Sequence, residues 1–93
     1  MSAALWHLYL LRCGRCIYTG ITTDVAARTA AHAAGRGAKF TRGRADQALL
    51  FQAPVGTRGE ALRLERAVKR LSHAAKEDLA AGRLSLETLR TAP

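Results

Sequence analysis

Apolar residues along this chain change their period several times, and each change marks an element. Leu5 to Arg12 and Ile17 to Thr22 are short runs rich in aromatic and aliphatic residues, separated by a segment containing Gly14, and they predict an antiparallel hairpin. With Cys13 facing Cys16 across the turn, Tyr9 falls opposite Gly20 and Leu11 opposite Tyr18. Opposed residues share a sheet face, as do residues two apart on one strand, so Tyr9, Leu11, Tyr18 and Gly20 point the same way. Both phenols are expected on one surface, and Gly20 is expected to leave space beside Tyr9 for another backbone or a phosphate. A slip of one residue would destroy this arrangement.

Thr22, Thr23 and Asp24 are natural N-caps for an alanine-rich helix from Val25 to Ala34, which Gly35 stops. Arg28 and His32 stand four apart on it and share a face, with Val25 alongside. Gly35 to Arg44 has no helical periodicity and is expected to be a basic loop carrying Lys39, Arg42 and Arg44. Its glycines permit close approach to a ligand, and a merely solvated loop has the same composition. Ala48 to Ala53 predicts a third strand that ends before Pro54.

Thr57 and Glu60 have capping-box spacing at the head of a helix running to about Leu71, with Ala61, Leu64, Val68 and Leu71 as its buried stripe. Glu65 falls at the edge of that stripe, where a carboxylate is half buried and needs an explanation. An ion pair with Lys69, four residues on, is the structural one. Ser72 caps a further helix through Ala81, with Gly82 as its stop, and the tail from Leu84 has room for one more turn. The expected fold class is α+β: a small three-stranded antiparallel sheet flanked by helices. One domain is expected, with a core over about 6–76 and a helical tail over about 77–93.

Charge changes the picture more than composition does. Lys and Arg number 15 against 7 for Asp and Glu, a formal net charge of +8 that favours a polyanionic partner such as nucleic acid. The apolar stretch from Ala3 to Leu11 is interrupted by His7 and is far shorter than the ~20 residues that span a bilayer. It also lacks a basic leader and a small-residue cleavage site, so neither a membrane partner nor export is expected, and a cytoplasmic location is. Cys13 and Cys16 have C-x2-C spacing without the second pair that a tetrahedral zinc site needs, and His7, His32 and His73 are scattered. Two small residues at the ends of a hairpin turn is the simpler reading.

Tyr9, Tyr18, Arg28, His32 and Glu65, in that order, suggest phosphodiester chemistry. Cutting such a bond requires an available nucleophile, stabilised charge on the phosphorane and a handled leaving oxygen. A lone Glu with waters and phosphate oxygens can hold Mg2+ (or Mn2+), and Arg28 can bind a phosphate oxygen through a charge-assisted contact. A tyrosine is a poor base unless a nearby cation stabilises its phenolate, and His32 titrates near neutrality.

The order and spacing resemble the GIY-YIG nuclease superfamily, in particular its small single-domain branch, the UPF0213 proteins, over roughly Trp6 to Lys76. Tyr9 matches the tyrosine of the first motif, Tyr18 the first tyrosine of the second, and Gly20 its closing glycine. The Gly-Ala-Lys-Phe-Thr-Arg-Gly stretch from Gly37 and the Leu-Glu-Arg-Ala-Val-Lys-Arg-Leu stretch around Glu65 are similar to that branch. Leu-Tyr-Leu and Thr19 depart from the motifs' Gly-Ile-Tyr and central isoleucine but spare the tyrosines. An asparagine that many members carry near the end of the domain has no counterpart, because the sequence contains no Asn.

The resemblance implies that Tyr18 activates the nucleophile, Tyr9 positions, Arg28 meets phosphate charge and Glu65 holds a single Mg2+. His32 matches a histidine seen in many members. Lys39, Arg42, Arg44 and Lys69 are expected to contact nucleic acid, DNA favoured over RNA, and no small-molecule cofactor is expected. The implied activity is structure-selective endonuclease cutting in DNA repair or recombination, since the chain has no room for a separate DNA-reading domain. Two alternatives stand beside it: a nucleic-acid-binding module without turnover, and a ribosome-associated or protein-interaction adaptor using the basic loop.

Overall fold

The computed structural model describes residues 4–33 and 47–90. Their order is β1 (Trp6–Cys13), β2 (Cys16–Thr22), α1 (Val25–Ala33), β3 (Gln47–Gly56), α2 (Arg58–Lys69), α3 (His73–Ala80) and α4 (Leu86–Arg90). The three strands form one antiparallel sheet in the order β2-β1-β3, and the fold class is α+β as expected.

The β1–β2 hairpin closes through Gly14 and Arg15, and Gly14 takes φ +63 while no described non-glycine residue has a positive φ. A positive φ at only the first of two central positions is the requirement of a II′ hairpin turn, whose twist matches that of the strands. The turn fixes the register: Cys13 pairs with Cys16, Leu11 with Tyr18 and Tyr9 with Gly20. Neither cysteine forms a disulfide; Cys13 is buried and Cys16 partly so.

β1 is central and covered on both faces, which explains why its sequence is a nearly continuous apolar run rather than an alternation. Leu8 and Leu10, both at 0% exposure, pack with Ile17, Val55, Ala61, Leu64, Val68 and Leu79. Tyr9, Leu11 and Cys13 turn to the other face and pack with Val25, with Tyr18 at their margin. Each fully buried leucine contributes about 2 kcal/mol from removal of apolar surface from water.

β3 departs from expectation. It runs to Gly56, through Pro54, instead of stopping at Ala53. Proline is excluded from a central strand because it donates no ladder hydrogen bond, but β3 is an edge strand. The pairing with β1 shifts between Trp6 and His7 and again between Leu10 and Leu11, so an extra β3 residue is absorbed at Val55, beside Pro54, and at Leu50.

The helix ends follow their sequence signals. The Asp24 carboxylate accepts from the Ala27 amide at 3.0 Å and caps α1. Thr57 and Glu60 form the reciprocal capping box of α2, each backbone N–H donating to the other residue's side chain at 3.2 Å. Ser72 caps α3 by accepting from the Ala75 amide at 3.1 Å. At the far end, Gly82 donates to the Leu79 carbonyl and Arg83 to the Asp78 carbonyl, the Schellman pattern, with Gly82 at φ +83. The tail from Leu84 adds α4, whose Arg90 donates to the Val55 carbonyl at 2.9 Å and lies 3.4 Å from Glu60. α3 is tied to the sheet by Arg12, 2.6 Å from Glu77.

Candidate active site

Two elements bring the tyrosines and the arginine together. Tyr9 is 1% exposed, and its ring lies over Gly20: a Cβ at that glycine would come within 2.5 Å of the Tyr9 Cζ and Oη. The space expected beside Tyr9 is therefore filled by its own ring and is not open to a phosphate. The Tyr18 ring centroid is 6.2 Å from that of Tyr9, tilted by 47°. From α1, Val25 packs against Tyr9, and Arg28, one turn on, donates a hydrogen bond to the Tyr9 phenol.

Burial pushes the Tyr9 phenol above its ordinary pKa of 10.0, and it prevails over the Arg28 hydrogen bond that acts the other way. The negative charges of Tyr18 and Glu65, when ionised, push in the same direction as burial, so both groups are within electrostatic reach of Tyr9. The phenol is neutral at physiological pH, in the form that donates a hydrogen bond.

Glu65 stands on a helix of the other side of the sheet. The α2 stripe of Ala61, Leu64 and Val68 packs on the Leu8 and Leu10 face, opposite the face that carries Tyr9. Glu65 flanks that stripe with its side chain 18% exposed, and its carboxylate is 3.8 Å from the Lys69 ammonium. The expected ion pair is thus present, but it is long and its lysine is 54% exposed, which makes it worth only a few tenths of a kcal/mol. Tyr18 and Lys69 also line one open cavity of about 450 Å3, together with Arg15, Ile17, His73 and Lys76. The cavity lies along β2, an edge strand, between it and residues of α2 and α3. A cavity of similar size between α2 and α4 contains none of the tyrosines.

Of the remaining sequence-predicted groups, His32 lies in the last turn of α1, and its side chain is outside the described residues. Lys39, Arg42 and Arg44 also lie outside them. Arg15, His73 and Lys76 were not anticipated. They come from a turn and from α3, share no period with the motif residues, and meet only through packing.

A hard divalent cation fits the donor set. Among the described residues no three His, Cys, Asp or Glu side chains cluster, so a cage built of protein ligands is not offered there. One partly buried carboxylate, loosely held by Lys69, suits Mg2+, which keeps most of its waters and takes few protein ligands.

Residues 5–78 match the family model described as the GIY-YIG catalytic domain. The chain belongs to the GIY-YIG nuclease superfamily. Within it, the chain is 52% identical over 89 residues to a UPF0213 protein of Cronobacter sakazakii, covering 95% of this chain and 94% of that one. It is 55% identical over 80 residues to a UPF0213 protein of Yersinia pestis, covering 85% and 84%. The solution NMR structure of a UPF0213 protein from Bacillus halodurans shares 42% identity and superposes with a TM-score of 0.52, over 83% of each chain. In this GIY-YIG domain the first-motif tyrosine is the buried one and the second-motif tyrosine the more accessible. No helix among the described residues is long and apolar enough to cross a membrane.

Proposed function

We propose that this protein is a Mg2+-dependent endonuclease that hydrolyses phosphodiester bonds of DNA, selecting substrate structure rather than sequence, and acting in the cytoplasm in repair or recombination. The observation that carries the reading is the cluster of Arg28, Tyr9 and Tyr18, drawn from a helix, a central strand and an edge strand, with Glu65 near enough for its charge to act on Tyr9. A core built for stability alone has no need of a buried phenol hydrogen-bonded to an arginine within range of a carboxylate.

The environments assign the roles. Tyr9, buried and held neutral, positions the Arg28 guanidinium to which it is hydrogen-bonded, and through it the phosphate. Tyr18, less buried, accepts the proton of the nucleophile, aided by His32. Arg28 bears a fixed positive charge, which stabilises the charge that develops on the phosphorane. Glu65 would hold the metal, which when bound supplies Lewis-acid stabilisation of phosphate charge. Lys39, Arg42, Arg44 and Lys69 neutralise backbone phosphates, in keeping with the net charge of +8.

The test is cleavage of labelled single-stranded, duplex, flapped and branched DNA and RNA in Mg2+, wild type beside Glu65→Ala. Wild type is expected to cut at least one branched or flapped DNA, and Glu65→Ala to lose about a hundredfold or more in rate while still binding it. Salt-sensitive binding by wild type with no product in Mg2+ or Mn2+ would replace the nuclease by a binding module.

A further inference from the structure

The cavity along the outer edge of β2 holds more than the nuclease reading uses. Its lining on the β2 side is largely apolar, contributed by the strand from Cys16 to Thr19, in which Ile17 is 7% exposed. Its rim is basic, with Lys69 and His73 more than half exposed and Arg15 and Lys76 beside them. The acids nearby are already engaged. Glu65 faces Lys69, and Glu77, 3.9 Å from His73, is held by Arg12 at 2.6 Å. Arg15 and Lys76 make no ion pair among the described residues, which leaves their charge for a ligand.

An apolar wall under a cationic rim suits a group that is flat and apolar on one side and anionic on the other. A nucleotide has that form, with a base that stacks on an aromatic or aliphatic surface and a phosphate that meets Lys or Arg. The volume, about 450 Å3, lies within the ~300–1,000 Å3 range of small-ligand sites. A base paired in a duplex cannot enter, because its faces are already stacked on its neighbours. Tyr18 also belongs to the candidate active site, so the cavity lies beside it.

We propose that the cleft beside β2 binds an unpaired nucleotide of the bound strand, its base on the apolar lining at the β2 edge and its phosphates on Arg15, Lys69 and Lys76. The proposal rests on the reading of the protein as a nucleic-acid enzyme and adds a source for its structure selectivity: a single-stranded nucleotide seated next to the cutting site.

Binding is measured without Mg2+, by fluorescence anisotropy over a salt series, with two labelled DNA hairpins that differ only in a short oligothymidine tail. Wild type is expected to prefer the tailed hairpin. The surface double variant Arg15→Ala/Lys76→Ala, its melting temperature compared with wild type, is expected to lose about tenfold in affinity for the tailed probe and to change little on the blunt one. Its log–log salt slope on the tail should fall by about 1.4, from two lost single-strand phosphate contacts. An unchanged tail preference, or an equal loss on both probes, overturns the subsite. Wild type that keeps the tail preference but never cuts in Mg2+ removes the nuclease reading and leaves the subsite standing. Wild type that binds neither hairpin overturns both.

Discussion

Gly20→Ala places one methyl group into the centre of the candidate site. The added Cβ would lie 2.5 Å from Cζ and Oη of Tyr9 and 2.8 Å from its Cε1, where ordinary contact begins at 3.4 Å. Ring or strand must therefore retreat by roughly 1 Å, the shortfall in those contacts. The ring has little freedom to do so, because it is rigid, 1% exposed and bounded by Val25, Leu11 and Tyr18. Overpacking of this kind costs about 1–3 kcal/mol. In a strand without the clash, the same change would be favourable by about 0.5–1 kcal/mol, since glycine loses more backbone entropy on folding. A net loss of up to about 2.5 kcal/mol follows, or a fall of up to roughly 20 °C in Tm for a domain of this size.

Urea unfolding of wild type, Gly20→Ala, Tyr9→Leu and the double variant measures this directly. Gly20→Ala should cost much less in the Tyr9→Leu background, with a coupling energy of about 1–2 kcal/mol. A stabilising Gly20→Ala, or the same effect in both backgrounds, would refute the close packing of Tyr9 on Gly20. If the nuclease reading holds, Gly20→Ala also lowers cleavage, because the ring can retreat only by moving relative to Arg28.

Three further predictions rest on other particulars. Thr19 is 2% exposed and its hydroxyl has no hydrogen-bond partner among the described residues, so Thr19→Val should stabilise by about 1 kcal/mol in urea unfolding; a less stable variant would show that the hydroxyl is bonded. The Tyr9 phenol has a folded-state pKa above 10.0, so the stability tied to its protonation is fully present below about pH 10 and is lost as pH rises through the folded value. Stability measured against pH should fall on that alkaline limb for wild type and less for Tyr9→Phe; equal slopes would refute the assignment. The Glu60 carboxyl is held below its ordinary 4.5, chiefly by the Thr57 backbone N–H, so its contribution is present above about pH 4.5 and is lost as pH falls through the lower folded value. Glu60→Gln should flatten that acid limb, and Thr57→Ala should cost about 1 kcal/mol at neutral pH in thermal melts.

Local chemistry made much of this protein legible in its sequence. A two-residue turn sets the register of a hairpin by geometry alone, so the pairing of Tyr9 with Gly20 and of Leu11 with Tyr18 followed from the spacing of Cys13 and Cys16. Caps are satisfied within three or four residues, which is why Asp24, Thr57 and Ser72 mark the starts of helices where they were expected. The period of Ala61, Leu64 and Val68 likewise identified the buried face of α2 before any partner was known. What depends on distant neighbours was decided only by the tertiary structure. Pro54 sits inside β3 because that strand is at an edge, a property of sheet order that no local pattern encodes. The space at Gly20 belongs to the Tyr9 ring because α1 closes over that face and leaves the ring no other place. Glu65 acts on Tyr9 only through its charge, from a helix packed on the opposite face, and the β2 edge gathers Arg15, Lys69 and Lys76 around one cavity. Sequence spacing fixes the neighbours a residue has along its own strand or helix, whereas the packing of separate elements fixes those it meets across space.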